Sequence, residues 1–229
     1  MMADLIYHLI LEETMNNVVA FDIETMPNMQ MVDRLPEPDV KYGNTKDPAK
    51  METKLAEAKI KQVDKMALSP LYGKIASFAI SGSEESTMCS ENEKEMLEVL
   101  FNKFFTTHEP YTFATWNGND FDFPFLYRRA VALKIDLTGK VRLNQLVKRY
   151  QTTPHADLAK IWTSWGSHDY VKLDHVASVI LGEKKFDFDV TTIKRLIKTP
   201  EGRAQIMGYN LQDANLTYEL YQRFDGVLF

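Results

Sequence analysis

The sequence predicts an α/β domain with a mixed central β-sheet flanked by helices, and three observations carry that prediction. Strand-like apolar runs mostly precede helix-like amphipathic segments along the chain. Hydrophobic residues make up 45% of the 229, enough to bury a sizeable core. No internal repeat or low-complexity linker divides the chain, so residues 1–229 read as one domain.

Met1 to Leu11 contains a short apolar run, but it carries Asp4, Glu12 and Glu13 follow it, and it has neither a basic start nor a small-residue cleavage site. It does not read as a signal peptide. Val18-Val19-Ala20-Phe21 continues through Ile23 and stops before Pro27, as a buried central strand ends. Between Pro36 and Pro70 the composition changes. Lys50 to Lys65 is rich in Lys, Glu and Ala and favours helix, with only a thin apolar stripe of Met51, Leu55, Val63 and Met66, and it reads as a solvated helical insertion at about residues 36–70. Ile75 to Ile80 is a second strand, and Glu91 to Phe105 a helix whose buried face carries Met96, Leu97, Leu100, Phe104 and Phe105. Tyr111 to Trp116 alternates aromatic and small residues like another strand, and Asn117-Gly118 breaks it. Phe123 to Leu133 is helical, with Pro124 in a first turn where a missing N–H does no harm. Val171 to Leu181 and Glu201 to Arg223 are further helices, the second ending before Gly226.

A formal charge of -5 and a pI near 5.6 exclude a basic protein that coats nucleic acid non-specifically, so any such contact is local. The charge is uneven. Lys140 to Lys198 holds eleven Lys and Arg against six acids, a mildly basic flank compatible with a phosphate backbone passing one side. The single cysteine, Cys89, excludes an internal disulfide and a Cys-based zinc cluster and suggests a reducing compartment. No apolar stretch approaches the roughly 18 residues of a membrane span, so a cytoplasmic location is expected.

Six acid-x-acid pairs occur in the chain, so that spacing alone is uninformative. Asp22 and Glu24 differ from the others in lying inside an apolar strand run, where period-two alternation puts both carboxylates on one face. Two buried like charges are costly unless a cation holds them. A second cluster runs from Asn117 to Leu126 across a strand-to-helix turn, with aromatics on both sides of Asp122; helix capping is the simplest structural role for that acid. The third is Tyr209-Asn210-Leu211-Gln212-Asp213, where four-residue spacing stacks Tyr209 and Asp213 on one helix face. The same spacing recurs at Tyr170/Asp174 and Tyr221/Asp225, but those acids fit helix ends. Asp213 sits mid-helix, where Asp is unfavourable by propensity.

In order, Phe21-Asp22-Ile23-Glu24-Thr25, Asn117-x3-Phe121-Asp122-x-Pro124-Phe125-Leu126 and Tyr209-x3-Asp213-Ala214 resemble the three exonuclease motifs of the DEDD superfamily, in its tyrosine branch. The likeness is to the 3′–5′ proofreading domain of family B DNA polymerases, in a stand-alone form, and it runs from about Val18 to Phe224. No histidine precedes Asp213 in the place used by the histidine branch. No polymerase palm or fingers is recognisable, so proofreading would act in trans, with replication or repair partners left unidentified.

The resemblance implies a ribonuclease H-like fold and hydrolysis of a terminal phosphodiester with two divalent metal ions. Carboxylates suit Mg²⁺ or Mn²⁺, and two such ions about 4 Å apart activate a water and stabilise a leaving 3′-oxygen. By analogy Asp22 bridges both ions, Glu24 and Asp213 complete the tighter site, Asp122 holds the second ion partly through water, and Tyr209 orients the attacking water. A phenol of pKa about 10 is a poor base at neutral pH, which leaves activation to the metal.

Other candidates are weaker. Phe186-Asp187-Phe188-Asp189-Val190 alternates like a metal-binding strand but equally fits a surface hairpin or edge strand. His155 with Asp157, and His175 near Asp174, suggest His–carboxylate pairs, a pattern more often structural. Trp162, Trp165 and Tyr170 could stack on bases, and Lys172, Lys184 and Lys185 could touch phosphates. The expected activity is a metal-dependent 3′–5′ exonuclease on single-stranded or frayed 3′ ends, DNA in preference to RNA. The alternatives are a 3′–5′ exoribonuclease of short RNA and a catalytically silent nucleic-acid-binding module.

Overall fold

The structure is a computed structural model and describes residues 17–108 and 110–229. The Met1 to Leu11 segment lies outside the described residues. The main elements are β1 (Val18–Pro27), α1 (Pro48–Lys65), β2 (Gly73–Gly82), β3 (Ser86–Cys89), α2 (Glu93–Phe104), β4 (Thr112–Thr115), α3 (Asp122–Ala132), β5 (His155–Asp157), α4 (Leu173–Ile180) and α5 (Pro200–Phe224). Short helical turns lie at Leu143–Leu146, Leu158–Trp162 and Ile193–Leu196.

The five strands form one mixed sheet in the order β3-β2-β1-β4-β5. β1 pairs antiparallel with β2, and β2 with β3; β1 pairs parallel with β4, and β4 with β5. Because residues alternate across a strand, β1 presents two different faces. Val19, Phe21 and Ile23 enter a large aromatic core with α2 and α3. There the Phe21 ring stacks on Phe123 at 5.4 Å and meets Phe105 edge-on at 5.8 Å. On the opposite face Ala20, Ala79 and Ala114 form a layer of small side chains against Ala214 of α5. That layer lets the longest helix lie close on the sheet.

The helix ends follow local chemistry. The Asn92 side chain caps α2 by accepting from the Glu95 N–H at 3.4 Å, and Thr199 caps α5 by accepting from the Gly202 N–H at 3.1 Å, with Pro200 just inside. A Cβ at Gly202 would fall 2.0 Å from the Leu196 carbonyl oxygen, so only glycine fits where α5 leaves the preceding turn. Arg129 of α3 donates to both carboxylate oxygens of Glu93, at 2.8 and 2.7 Å, and the Ile75 N–H donates to the same acid at 2.8 Å. This buried bidentate pair ties α2, α3 and β2 together.

The three strands anticipated by pattern are β1, β2 and β4, and the anticipated helices over 91–105, 123–133, 171–181 and 201–223 are α2 to α5 within about two residues at each end. α1 buries none of its residues. Two strands were not anticipated. β3 and β5 have four and three residues, too few for a period to register. Phe186 to Asp189 forms no strand, and Asp189 instead accepts from the Thr191 N–H at 3.0 Å to open a helical turn. No described helix is long and apolar enough to cross a membrane.

Candidate active site

β1 runs on past its parallel neighbour. Pairing with β4 covers only Val18 to Ala20, so Asp22 and Glu24 stand beyond the last paired residue, where the parallel strands end and a cleft opens. Both acids share the α5 face of β1 with Ala20 and are partly buried. β4 ends at Thr115, and the chain turns back through Asn117, whose φ of 71° is a left-handed conformation that asparagine tolerates. A Cβ at Gly118 would meet Thr115 Oγ1 at 2.3 Å, so the turn needs glycine there. Asp157, fully buried at the end of β5, pins the loop by accepting from the N–H groups of Asn117 at 3.1 Å and Asn119 at 2.9 Å, and caps the turn at Leu158–Trp162 by accepting from the Lys160 N–H at 3.1 Å.

This loop delivers Asp122 as the first residue of α3. The N-cap position belongs to Phe121, and no side chain caps the helix, so the capping role that suits an aspartate here is not the one it plays. Its carboxyl is 4% exposed and lies beside Asp22, with the Ile23 N–H facing it from the unpaired edge of β1.

α5 supplies the remaining groups. Tyr209, Asn210 and Asp213 fall on its sheet-facing side and are buried. Oxygen atoms of Asp22, Glu24 and Asp213 lie within 4.8 Å of one another. The Lys185 ammonium pairs with Asp213 Oδ2 and lies 4.5 Å above the Tyr209 ring, whose other partner is Phe188, stacked at 4.5 Å. Gln212 holds the Lys185 backbone from both sides, accepting from the Phe186 N–H at 2.7 Å and donating to the Lys184 carbonyl at 3.2 Å. Asp213 Oδ1 is buried without a hydrogen-bond partner among the described residues.

The crowding of carboxylates shows in their acidity. Burial, then the charges of Asp122, Asp213 and Glu24, raise Asp22 well above the usual carboxylate range. Burial and Asp213 push Glu24 up to about 8. Burial lifts Asp122 to about 7 against the pull of two backbone N–H groups, and burial raises Asp213 in spite of Lys185. For Lys185 burial acts downward, but Asp213 outweighs it and keeps the ammonium charged. Burial and Asp213 push the Tyr209 phenol up to about 12. An all-oxygen donor set, mutual repulsion and an unpartnered buried oxygen together fit a hard divalent cation.

The site opens into a cleft of about 680 Å³ lined by Asp22, Asp213, Tyr209 and Lys185, with Trp116, Tyr170, Lys172 and Phe186 among its walls. Tyr170 is 58% and Phe186 65% exposed. Asp187 also faces the cleft. Other sequence candidates lie elsewhere. His155 is structural, its ring nitrogens bonded to Thr115 Oγ1 at 2.7 Å and the Leu146 carbonyl at 2.8 Å. Trp162 stacks on Phe224 at 5.5 Å, and Trp165 packs against Tyr150 at 5.1 Å. Asp174, by contrast, lines the cleft, and accepts from the His175 N–H at 2.8 Å within the first turn of α4. Asn210, Gln212 and Ser77 were missed. Asn210 and Gln212 lie inside the Tyr209–Asp213 segment, and the three-residue spacing of Asn210 and Asp213 would have placed them on one helix face.

The chain matches, over residues 72–227, the family described as "Predicted 3'-5' exonuclease related to the exonuclease domain of PolB". It is similar to a DNA polymerase of Pyrococcus horikoshii, 28% identical over 142 residues that make up 58% of this chain and 11% of the polymerase. It is also similar to a DNA polymerase of Thermococcus aggregans, 26% identical over 144 residues, 58% of this chain and 8% of that protein. The chain thus spans only about a tenth of these relatives. Its fold matches the solved structure of the family B DNA polymerase from Pyrobaculum calidifontis with a TM-score of 0.58 at 20% identity, covering 90% of this chain and 24% of that one. The mixed five-stranded sheet with flanking helices is therefore a ribonuclease H-like α/β fold.

Proposed function

The chain belongs to this family of 3′–5′ exonucleases related to the polymerase B exonuclease domain, and from that premise we propose that it removes nucleotides from single-stranded or frayed 3′ ends of DNA in the manner of the tyrosine branch. The observation that carries the reading is the convergence of acids from three distant stretches of chain: oxygens of Asp22, Glu24 and Asp213 lie within 4.8 Å of one another with Asp122 beside Asp22, and Asp22, Asp213 and Tyr209 line one cleft. DNA as the substrate is supported by the relatives, which are named DNA polymerases.

In this reading the four carboxylates hold two divalent ions, Mg²⁺ or Mn²⁺, which supply Lewis-acid activation of water and charge stabilisation at the scissile phosphate. The chain's own groups do the positioning. Tyr170 and Phe186, both exposed, offer flat faces to unstacked terminal bases, and Lys172 offers a charge to the backbone. Tyr209, with its phenol pushed up to about 12, stays protonated and acts as a hydrogen-bond donor that orients the attacking water. Water adds to phosphorus, the bond to the 3′-oxygen of the preceding nucleotide breaks, that oxygen takes up a proton, and a nucleoside 5′-monophosphate leaves.

Matched DNA and RNA strands of one sequence, labelled at the 3′-terminal nucleotide, test this directly. Release of labelled mononucleotide from DNA faster than from RNA is expected. Faster release from RNA would make the protein an exoribonuclease, and release of labelled oligonucleotides in place of mononucleotides would overturn the exonuclease reading.

A further inference from the structure

Asn210 is fully buried and lies between two strands of the sheet. Its side-chain Nδ2 donates to Asp22 Oδ2, and its Oδ1 accepts from Ser77 Oγ at 3.0 Å. Ser77 is itself fully buried on β2, directly across the ladder from Glu24. The two bonds fix the amide in one orientation. A carboxylate that holds a cation is ionised and only accepts, so in that state the amide must turn its N–H₂ toward Asp22, and the serine hydroxyl then donates to the amide oxygen.

From this geometry we infer that Asn210, backed by Ser77, is a positioning residue that holds the Asp22 carboxylate in register with Glu24 and Asp213 for cation binding. Three features support the assignment. Asn210 lies three residues before Asp213 on α5, so the clamp ties the helix that carries one ligand to the strand that carries two others. It is a neutral donor, which steadies one oxygen of Asp22 without adding a positive charge that would compete with a cation. Packing does not require it either: around it the sheet and α5 meet through alanines, where an apolar residue would serve. Outer-shell partners of this kind typically contribute about 10–100-fold in metal affinity or activity.

The inference rests on the proposed cation site, so the test reads cation binding apart from turnover. Mn²⁺ binding would be titrated by electron paramagnetic resonance for the wild type, Asn210→Ala, Ser77→Ala, Ser77→Thr and Asp213→Asn, with thermal unfolding and kcat alongside. Expected is a roughly 10–100-fold weaker Mn²⁺ affinity in Asn210→Ala, with a parallel fall in kcat, little change in KM and a retained cooperative transition. Ser77→Ala should shift affinity in the same direction by less, and Ser77→Thr, which keeps the hydroxyl, should restore it. If Asn210→Ala does not fold, the Ser77 pair still decides the matter. Wild-type binding that is lost in Asp213→Asn but unchanged in both Asn210→Ala and Ser77→Ala overturns the clamp while leaving the cation site standing. A wild type that binds no Mn²⁺ overturns the cation site and the clamp with it.

Discussion

The two faces of β1 do opposite things with the same backbone. Val19, Phe21 and Ile23 sink into an aromatic core, while Ala20, Asp22 and Glu24, interleaved with them, meet a layer of alanines and a cluster of acids. The first face lowers the free energy of folding through buried area and ring contacts. The second raises it, because carboxylates are crowded in a half-buried cleft. Stability and chemistry are thus divided by the period of the strand, one residue apart. The helix on the second face can approach closely enough to complete the acid cluster only because its contact layer is alanine.

The strongest way to break the comparison is to substitute one residue from each face. Asp22→Ala or Asp213→Ala should lower turnover by about a thousandfold or more, several kcal/mol of transition-state stabilisation. In Asp22→Ala the metal-free melting temperature should hold or rise as repulsion is relieved, whereas Asp213→Ala also strips Lys185 of its partner, so one preparation of Asp22→Ala assayed by turnover and by calorimetry checks both signs. Phe21→Ala, at a residue 1% exposed, should do the reverse. It should cost about 3–5 kcal/mol in urea unfolding while the folded fraction keeps its metal affinity.

Two smaller effects sharpen the contrast. Tyr209→Phe removes a hydrogen bond from the charged face without removing a ligand. A rate loss of about tenfold to a hundredfold with unchanged Mn²⁺ binding is expected from single-turnover kinetics. An unchanged rate would confine Tyr209 to packing. Ala214→Leu places bulk in the alanine layer, where the close approach of α5 leaves no room. It should cost about 1–3 kcal/mol and weaken Mn²⁺ binding by displacing the helix.

The faces should also respond to pH with opposite sign. Glu24 rises from 4.5 to about 8 and Asp122 from 3.8 to about 7 in the metal-free fold, so the folded state holds protons that the unfolded chain releases. Their contribution to stability is full below about pH 4 and is lost as pH rises through 7 to 8. On the core side His155 packs edge-on to Phe123 at 4.6 Å, and burial lowers it from 6.5 to about 4. The neutral ring favours the fold, and that contribution is lost as pH falls from 6.5 toward 4. Melting of the metal-free protein across pH 4 to 9 should therefore show a maximum. Saturating Mn²⁺ should flatten the alkaline side, and His155→Gln should flatten the acid side.

The sequence made the long elements and the acid pattern readable, and left the supporting contacts hidden. β1 was legible because Phe21 and Ile23 alternate with two acids in an apolar run, and α5 because Tyr209 and Asp213 share a helical face. β3 and β5 were not, since strands of four and three residues carry too little alternation. Asp157 resembled one half of a His–carboxylate pair, yet it anchors the loop of Asp122 through two backbone N–H groups, those of Asn117 and Asn119. That role depends on a contact between chain segments about 40 residues apart, which no local pattern encodes. The same holds for Ser77 and Asn210, 133 residues apart, and for Lys185, which the sequence offered as a phosphate contact and which pairs with Asp213.

If these four acids make the protein a metal-dependent 3′–5′ exonuclease, its products on end-labelled strands must show it. A 5′-labelled single strand and a 5′-labelled 3′-recessed duplex are incubated with the wild type or Asp213→Ala, in Mg²⁺, Mn²⁺ or EDTA. The account predicts a ladder shortening from the 3′ end with wild type in either metal, and intact label in EDTA and with Asp213→Ala. Full-length label under every metal condition, with the strand still bound by the wild type, would contradict it and leave a nucleic-acid-binding module in its place.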